Sequence, residues 1–385
     1  MRKVVVTGVG MTKVDQHFDK GLKEMFKEAS SKALEDSGNP VLDHVYVANA
    51  YADMISGQAD LGPLLMDYCS AGCIPVTQIG GACGSGGSAI VDGFEAVASG
   101  NCDTVMVAGV EKMSDVPTKE ATAIQSICED QEYEANFGLT LAGINAMAAR
   151  SYMQQYSATR EQFSLFSVLM HKNAVKNPYA CLPFEVTTEK VAESFPVADP
   201  LTFLDSSPLC DGAAAVIIAS ADAVPETSGP RVEVAAVSQS IDCVRIAERE
   251  SLLSMRSTVA AAARAYELAK VKATDIDVCE IHDSFTITGF IALEDLSFVE
   301  RGKTGIAVEE GILAKDGRIP TNPSGGLKAR GHPGGATGIY QLAEITLQLR
   351  GEAGGMQVDD VEIGLTHNIS GFGSRATVGI LKRLS

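Results

Sequence analysis

Short apolar runs rich in Val, Ile and Ala alternate along the chain with longer stretches in which apolar residues return every three or four positions. The first pattern predicts strands at Lys3–Val9, His44–Ala48, Thr104–Ala108, Ala213–Ala219, Val232–Val237, Val278–His282, Glu362–Thr366 and Arg375–Leu381. The second predicts helices at Leu22–Ser37, Ser85–Ala98, Leu141–Gln155, Arg160–Asn173, Thr258–Leu268, Phe285–Leu296 and Thr337–Leu349. Tyr51–Pro63 and Pro183–Pro200 follow neither period. Regular alternation of the two element types argues for an α/β protein with parallel layers.

A weak duplication runs through this pattern. In the first half, Gly80-Gly81-Ala82-Cys83-Gly84-Ser85-Gly86-Gly87 opens a helix, and the strand at Thr104–Ala108 follows. In the second half, Gly331-His332-Pro333-Gly334-Gly335-Ala336-Thr337-Gly338 opens a helix, and the strand at Glu362–Thr366 follows. A more polar, mostly helical stretch at about 114–200 interrupts the alternation. The expected organisation is two similar halves, 1–225 and 226–385, with an inserted lobe in the first.

Composition narrows the function. With 45% apolar and 21% charged residues, the chain has material for a large core. Thirty-one basic against 49 acidic side chains leave a net charge of −18, which disfavours nucleic-acid backbones and anionic membrane surfaces. No run approaches the ~20 apolar residues needed to span a bilayer, and Met1–Val9 reads as a first strand rather than a secretion signal. Nine cysteines without a repeated spacing suggest free thiols in a reducing compartment. A cytoplasmic protein is expected.

Four segments carry candidate chemistry. Cys83 lies among glycines at an apparent helix start, where free N–H groups and the helix dipole would favour a thiolate and lower its pKa. A small cysteine packed in a tight turn would look the same. His332 sits in a loop fixed by Gly331 and Pro333, where an imidazole can take a thiol proton, although a lone loop histidine is commonly just solvated or packed. Glu280-Ile281-His282-Asp283-Ser284-Phe285 falls at a strand end, the usual place for ligands in α/β folds. There His282 is a candidate donor to a carbonyl oxygen, and Asp283 a candidate helix cap. In Thr366-His367-Asn368-Ile369-Ser370-Gly371-Phe372-Gly373, backbone N–H groups suit an oxyanion site, and a plain turn suits the segment equally. Val6-Thr7-Gly8-Val9-Gly10 lacks the third glycine of a dinucleotide fingerprint, and the three histidines 282, 332 and 367 have no HExxH or CxxC companion, so no metal is expected.

Taken in order, GACGSGG, HDSF, NPSGG followed by GHPGGATG, and HNISGFG resemble the four active-site loops of the thiolase superfamily over almost the whole chain. The HDSF and HNISG forms are nearer to the sterol-carrier-protein-2 and archaeal types than to bacterial biosynthetic enzymes. The resemblance implies a five-layered αβαβα fold of two similar halves with an inserted loop domain. It implies acetyl-CoA C-acetyltransferase chemistry, joining two acetyl-CoA into acetoacetyl-CoA or the reverse, on the way to mevalonate. Cys83 would carry the acyl group, His332 would activate it, and His282 would bind the thioester oxygen. The N–H groups of Cys83 and of Ile369 or Ser370, in the loop that ends with Gly371, would form a second oxyanion site. Coenzyme A and acyl-CoA would be substrates, with no tightly bound cofactor. Arg245, Arg249 and Ser324 are the candidate contacts to the nucleotide, against a solvated face as the other reading of the arginines. The family also implies a homodimer or tetramer, and assembly with HMG-CoA synthase and a small zinc-ribbon/OB-fold protein.

One departure stands out. The positions that hold a second catalytic cysteine in common thiolases are occupied here by Ser284 and His367. Serine is a poor general base near neutral pH, which leaves His367, or His332 in two roles, as the expected proton acceptor. A related acyltransferase or aldolase on CoA thioesters, and a non-catalytic thiolase-like scaffold, are the competing readings. Retention of Cys83 favours acyl transfer over a retro-aldol reaction, which needs no thiol.

Overall fold

The computed structural model describes residues 1–224 and 231–384, so the expected join between the halves at 225/226 lies outside the described residues. Among the described residues there are eleven strands: β1 Val4–Met11, β2 His44–Ala48, β3 Val76–Ile79, β4 Thr104–Glu111, β5 Pro196–Ala198, β6 Leu201–Thr202, β7 Gly212–Ser220, β8 Arg231–Ile241, β9 Val278–Glu280, β10 Ile363–Ser370 and β11 Arg375–Leu384. Nine of them run in the order β3-β2-β4-β7-β1-β8-β11-β10-β9. Among the described residues, only Val5↔Glu233 and Val6↔Val232 join β1 to β8, so two sheets meet at a narrow seam.

The duplication is written into that order. Read outward from the seam, the first half runs β1, β7, β4, β2, β3, and the second runs β8, β11, β10, β9, with Thr321 bridged to Cys279 beyond β9. Helices Ser85–Ser99 and Thr337–Arg350 lie between the sheets, Leu22–Asp36 covers β1 and β7, and Arg256–Ala269 covers β8 and β11. The layers are therefore helix, sheet, helix, sheet, helix. Strand alternation feeds two cores at once: Val105 and Val107 of β4 face the central helices, while Met106, Ala108 and Val110 face the outer ones.

The element alternation argued for parallel layers, but the sheets are mixed. β2 is parallel to β3 and β4, and β9 to β10, but β7 and β11 run antiparallel to their neighbours. The cause is local. β10 turns directly into β11, with Ser370 opposite Arg375. β4 likewise pairs back onto β7, with Glu111 opposite Gly212, although residues 112–211 intervene. The lobe occupies the place that a tight turn fills in the other half. It packs firmly, through an aromatic cluster of Tyr152, Phe163 and Phe166 around Phe290 of the second half.

The central helices meet backbone to backbone. A Cβ on Gly86 would lie 2.8 Å from Gly335 O and 2.9 Å from Gly338 N, and one on Gly338 would lie 2.7 Å from Gly87 N. No side chain fits between them. This contact brings together the two glycine-rich loops that precede the helices.

Candidate active site

Each of those loops makes one 3-10 turn, Ala82–Gly84 or Gly334–Ala336, before its helix begins. Cys83 lies in the first turn and His332 just ahead of the second, and their side chains meet with Sγ 3.1 Å from Nε2. His332 Nδ1 lies 2.6 Å from Thr337 Oγ1. With Nδ1–H donating to that hydroxyl, Nε2 is left to accept the Cys83 S–H. The His332 backbone N–H donates to Cys210 Sγ at 3.0 Å, which gives this buried cysteine a positioning role. Burial, not the helix dipole, decides the charges. It pushes the Cys83 thiol up to about 12 and, with Arg330 nearby, the His332 imidazole down to about 3. The expected lowering of the thiol pKa is thus reversed, because loss of hydration outweighs the stabilising backbone N–H. The resting pair is a neutral thiol facing a neutral imidazole.

His282 stands beside His332, with ring centroids 5.0 Å apart. Its Nδ1 faces the Asn368 amide at 3.2 Å and the Ile369 N–H at 3.4 Å, so it accepts, and Nε2 carries the ring hydrogen. Burial and the neighbouring cationic forms hold this ring well below the ordinary imidazole pKa. Cys83, His282, Ser284, His332 and Gly371 all line one cavity of about 270 Å³, whose other wall comes from the lobe through Thr118, Thr122, Gln125 and Asn145.

The remaining expected residues are placed differently. β10 continues through Ser370, so His367 lies inside a strand and alternation decides its face. Asn368 and Ser370 face the central helix, with Asn368 Oδ1 accepting the Gly87 N–H at 3.0 Å and Ser370 Oγ donating to Gly81 O at 2.9 Å. His367 points to the opposite side, fully buried, with Nε2 at 3.0 Å from Thr258 Oγ1 and Nδ1 at 3.4 Å from the His282 N–H. It does not reach the cavity, and both ring nitrogens are engaged. The N–H of Ile369 is committed to His282, which leaves Gly371, with φ +51°, as the residue of this loop that borders the cavity.

None of the expected nucleotide contacts lies on the cavity. Ser324 is enclosed, its hydroxyl donating to Glu280 at 2.8 Å. Arg245 pairs with Asp130 and Glu248 and stacks on Tyr133, while Arg249 binds the carbonyls of Cys243 and Phe372. Both guanidinium groups are used within the chain.

Two supports escaped the sequence reading. Glu111, at the end of β4, accepts N–H groups from Ala50 and Gly335 at 2.8 Å and from Tyr51 at 3.2 Å. Tyr51 in turn places its hydroxyl 3.7 Å from Cys83 Sγ. A lone glutamate ending an otherwise apolar strand was the available signal.

Comparison with known proteins agrees with this geometry. The family model for the thiolase N-terminal domain matches residues 4–222, and a thiolase C-terminal domain-like model matches 238–383. An acetyl-CoA acetyltransferase of Methanothermobacter thermautotrophicus is 47% identical over the full length of both chains. Sterol carrier protein 2 of Oryctolagus cuniculus is 32% identical over 99% of this chain and 72% of its own. Among solved structures, an aldolase described as Ltp2-ChsH2(DUF35) superposes with a TM-score of 0.82 at 23% identity, covering 99% of this chain and 97% of its own. Human mitochondrial 3-ketoacyl-CoA thiolase superposes with 0.74 at 20%, covering 100% and 99%.

Proposed function

The chain belongs to the thiolase family, and from that premise we propose that it is an acetyl-CoA C-acetyltransferase working through an acetyl group carried on Cys83. The observation that carries this reading is the 3.1 Å contact of Cys83 Sγ with His332 Nε2, beside His282 in one cavity. As Cys83 attacks the thioester carbon of acetyl-CoA, its proton passes to His332 Nε2 and from there to the CoA sulfur, which leaves as the free thiol when the thioester to Cys83 forms. His332, neutral again, takes the α-proton of the second acetyl-CoA and gives it to the Cys83 thiolate released by condensation. Neither group needs to be charged beforehand, which suits a site where burial penalises both charged forms. The His282 Nε2–H donates to the thioester oxygen, and the same bond stabilises the enolate of the second acetyl-CoA. The N–H groups of Cys83 and Gly371 receive the oxygen of the acetyl-Cys83 carbonyl when that enolate attacks. Each such donor is worth roughly 3 kcal/mol in comparable acyl transfers.

His367 is assigned a positioning role in this reading. It receives the His282 N–H from behind and holds the strand against Thr258. The family resemblance further supports a cytoplasmic homo-oligomer that supplies acetoacetyl-CoA towards mevalonate, assembled with HMG-CoA synthase and a small zinc-ribbon/OB-fold protein. The DUF35 partner in the name of the aldolase neighbour is in keeping with such an assembly.

The test is thiolysis of acetoacetyl-CoA by the purified chain with free CoA. Turnover is expected, and Cys83→Ala should abolish it while leaving the thermal unfolding transition in place. A folded wild-type chain that leaves acetoacetyl-CoA intact at saturating CoA overturns the reading.

A further inference from the structure

In the proposed cycle the Cys83 sulfur gains negative charge twice: as its proton passes to His332, and again when the enolate displaces it from the acetyl group. His332 meets that sulfur at 3.1 Å, but the proton it carries is the one in transit at both moments. Charge that develops in a buried site calls for a fixed donor that keeps its own proton. Tyr51 brings a hydroxyl to this sulfur. Its side chain is fully buried, and its Oη lies 3.7 Å from Cys83 Sγ. Among the described residues the hydroxyl has no other hydrogen-bond partner, although a buried tyrosine hydroxyl ordinarily finds an oxygen or nitrogen.

The backbone that carries this ring is tied to both catalytic loops. Where β2 ends, the Asn49 amide donates to Val110 O at 2.6 Å, and its Oδ1 accepts the Ala52 N–H at 2.8 Å. Glu111 takes the N–H groups of Ala50 and Tyr51. Ser85, in the helix that follows Cys83, donates its hydroxyl to Asn49 O at 3.3 Å. On the other side, a Cβ on Gly335 would lie 2.8 Å from Ala50 N, so the segment is pressed against the loop that carries His332. A hydroxyl held this way has little freedom to leave the sulfur. Tyr51 is not among the residues that line the cavity, so it meets Cys83 from behind, away from the substrate. Burial holds its hydroxyl well above the ordinary tyrosine range, so it stays O–H throughout, and its contact opposes the rise that burial imposes on the Cys83 thiol.

Resting on the activity proposed above, we infer that Tyr51 is a catalytic residue of this enzyme, whose hydroxyl donates a hydrogen bond to Cys83 Sγ and steadies the charge on it in both half-reactions. The hydroxyl transfers no proton. In the first half-reaction the S–H bond of Cys83 breaks towards His332 while the new C–S bond forms, and the O–H of Tyr51 shares the charge that passes through sulfur. In the second, the enolate carbon attacks the acetyl-Cys83 carbonyl, and the C–S electron pair returns to sulfur as a thiolate. Tyr51 holds that thiolate until His332 delivers the proton taken from the α-carbon. Cys83 thus works between two partners, an imidazole that moves its proton and a phenol that does not.

The test is Tyr51→Phe in the purified full chain, which removes the hydroxyl and keeps the ring. Alkylation by iodoacetamide near neutral pH is followed cysteine by cysteine through peptide mass, with the exposed Cys73 and Cys243 as internal controls. Cys83 should react about 10- to 100-fold more slowly than in the wild type, the range for a lost hydrogen bond to a charged group, while the controls keep their rates. The kcat of acetoacetyl-CoA thiolysis should fall by a similar factor with KM little changed, because the substrate does not touch Tyr51. The sign separates this role from a packing one: a loosened site would hydrate Cys83 and speed its alkylation. Unchanged or faster alkylation of Cys83 in Tyr51→Phe therefore overturns the assignment and leaves the activity reading intact. Fluorotyrosine at position 51, a stronger donor in a ring of nearly the same size, should act in the opposite direction and speed alkylation; no change there also overturns the assignment. A folded wild-type chain that leaves acetoacetyl-CoA intact overturns the activity reading and the catalytic role with it, while the alkylation rates still decide whether the hydroxyl bonds to sulfur.

Discussion

Two hairpins of this molecule have the same place in the fold and opposite constructions. β10 and β11 are joined by residues 371–374, whereas β4 and β7, equivalent by strand order, are joined by residues 112–211. Near the closed end of each, one buried polar side chain reaches across to brace the other half. Glu111 of β4 accepts the Gly335 N–H in the second half's loop, and Asn368 of β10 accepts the Gly87 N–H in the first half's helix. A carboxylate and an amide do the same mechanical work. They differ in their second contacts: Glu111 also gathers Ala50 and Tyr51, while the Asn368 amide turns to His282. Two copies of one scaffold thus specialise by what their hairpins hold, one supporting the nucleophile's surroundings and the other orienting an oxygen-binding imidazole.

The largest effect should come from separating the halves at their crossing. In Gly338→Ala the new methyl would meet Gly87 N at 2.7 Å and the Gly86 carbonyl carbon at 2.9 Å, both backbone atoms that cannot rotate away. Overpacking of this kind costs about 1–3 kcal/mol or more, and relief requires the helices to part. Cys83 and His332 sit at the ends of those helices, so thiolysis should fall out of proportion to the melting temperature. Equal losses from Gly338→Ala and from a clash remote from the crossing would break the link between helix contact and catalytic geometry.

A smaller effect should follow at one brace. Glu111→Gln keeps the shape but has one carbonyl oxygen for N–H groups that now share two, and its NH2 must face a donor. A buried donor left unpaired costs about 1–3 kcal/mol. Denaturant unfolding should show a loss of this size, with the Tyr51 and Gly335 segments more exchangeable in hydrogen–deuterium measurements. An unchanged unfolding midpoint would mean that Glu111 is not the strut the comparison makes it.

Much of this arrangement was legible in the chain. Strand and helix positions in both halves follow their periodicities, and the order of the four loops led to Cys83, His282 and His332 at one cavity. What was not legible has physical causes. The antiparallel course of β7 depends on the lobe returning to the end where β4 stops, which no local pattern records. The glycines around Cys83 read only as a helix start, yet Gly86 and Gly87 serve a helix crossing whose other side, at Gly335 and Gly338, is remote in the chain. Arg245 and Arg249 read as anion contacts because their partners, Asp130 and the Phe372 carbonyl, come from distant segments. His367 was misplaced by a strand end read too early: with β10 carried to Ser370, period-two alternation alone turns it away from Asn368.

That alternation makes the smallest effect the sharpest check on how the β10 hairpin works. His367 is fully buried and held down to about 3 by loss of hydration, well below the ordinary imidazole value of 6.5. The unfolded chain therefore takes up a proton near pH 6.5 that the folded chain refuses until about pH 3. The stability contribution is full above 6.5 and is lost as pH falls through that window, at about 1.4 kcal/mol per unit for one such group. His367→Gln, which retains a donor and an acceptor, should unfold less steeply with acid than the wild type between pH 6.5 and 4. Its thiolysis at neutral pH should stay within about tenfold, because the change reaches the reaction only through the His282 backbone. A loss comparable to that of a removed general base, about 100-fold or more, would return the proton transfer to His367 and require its ring to leave Thr258 during turnover.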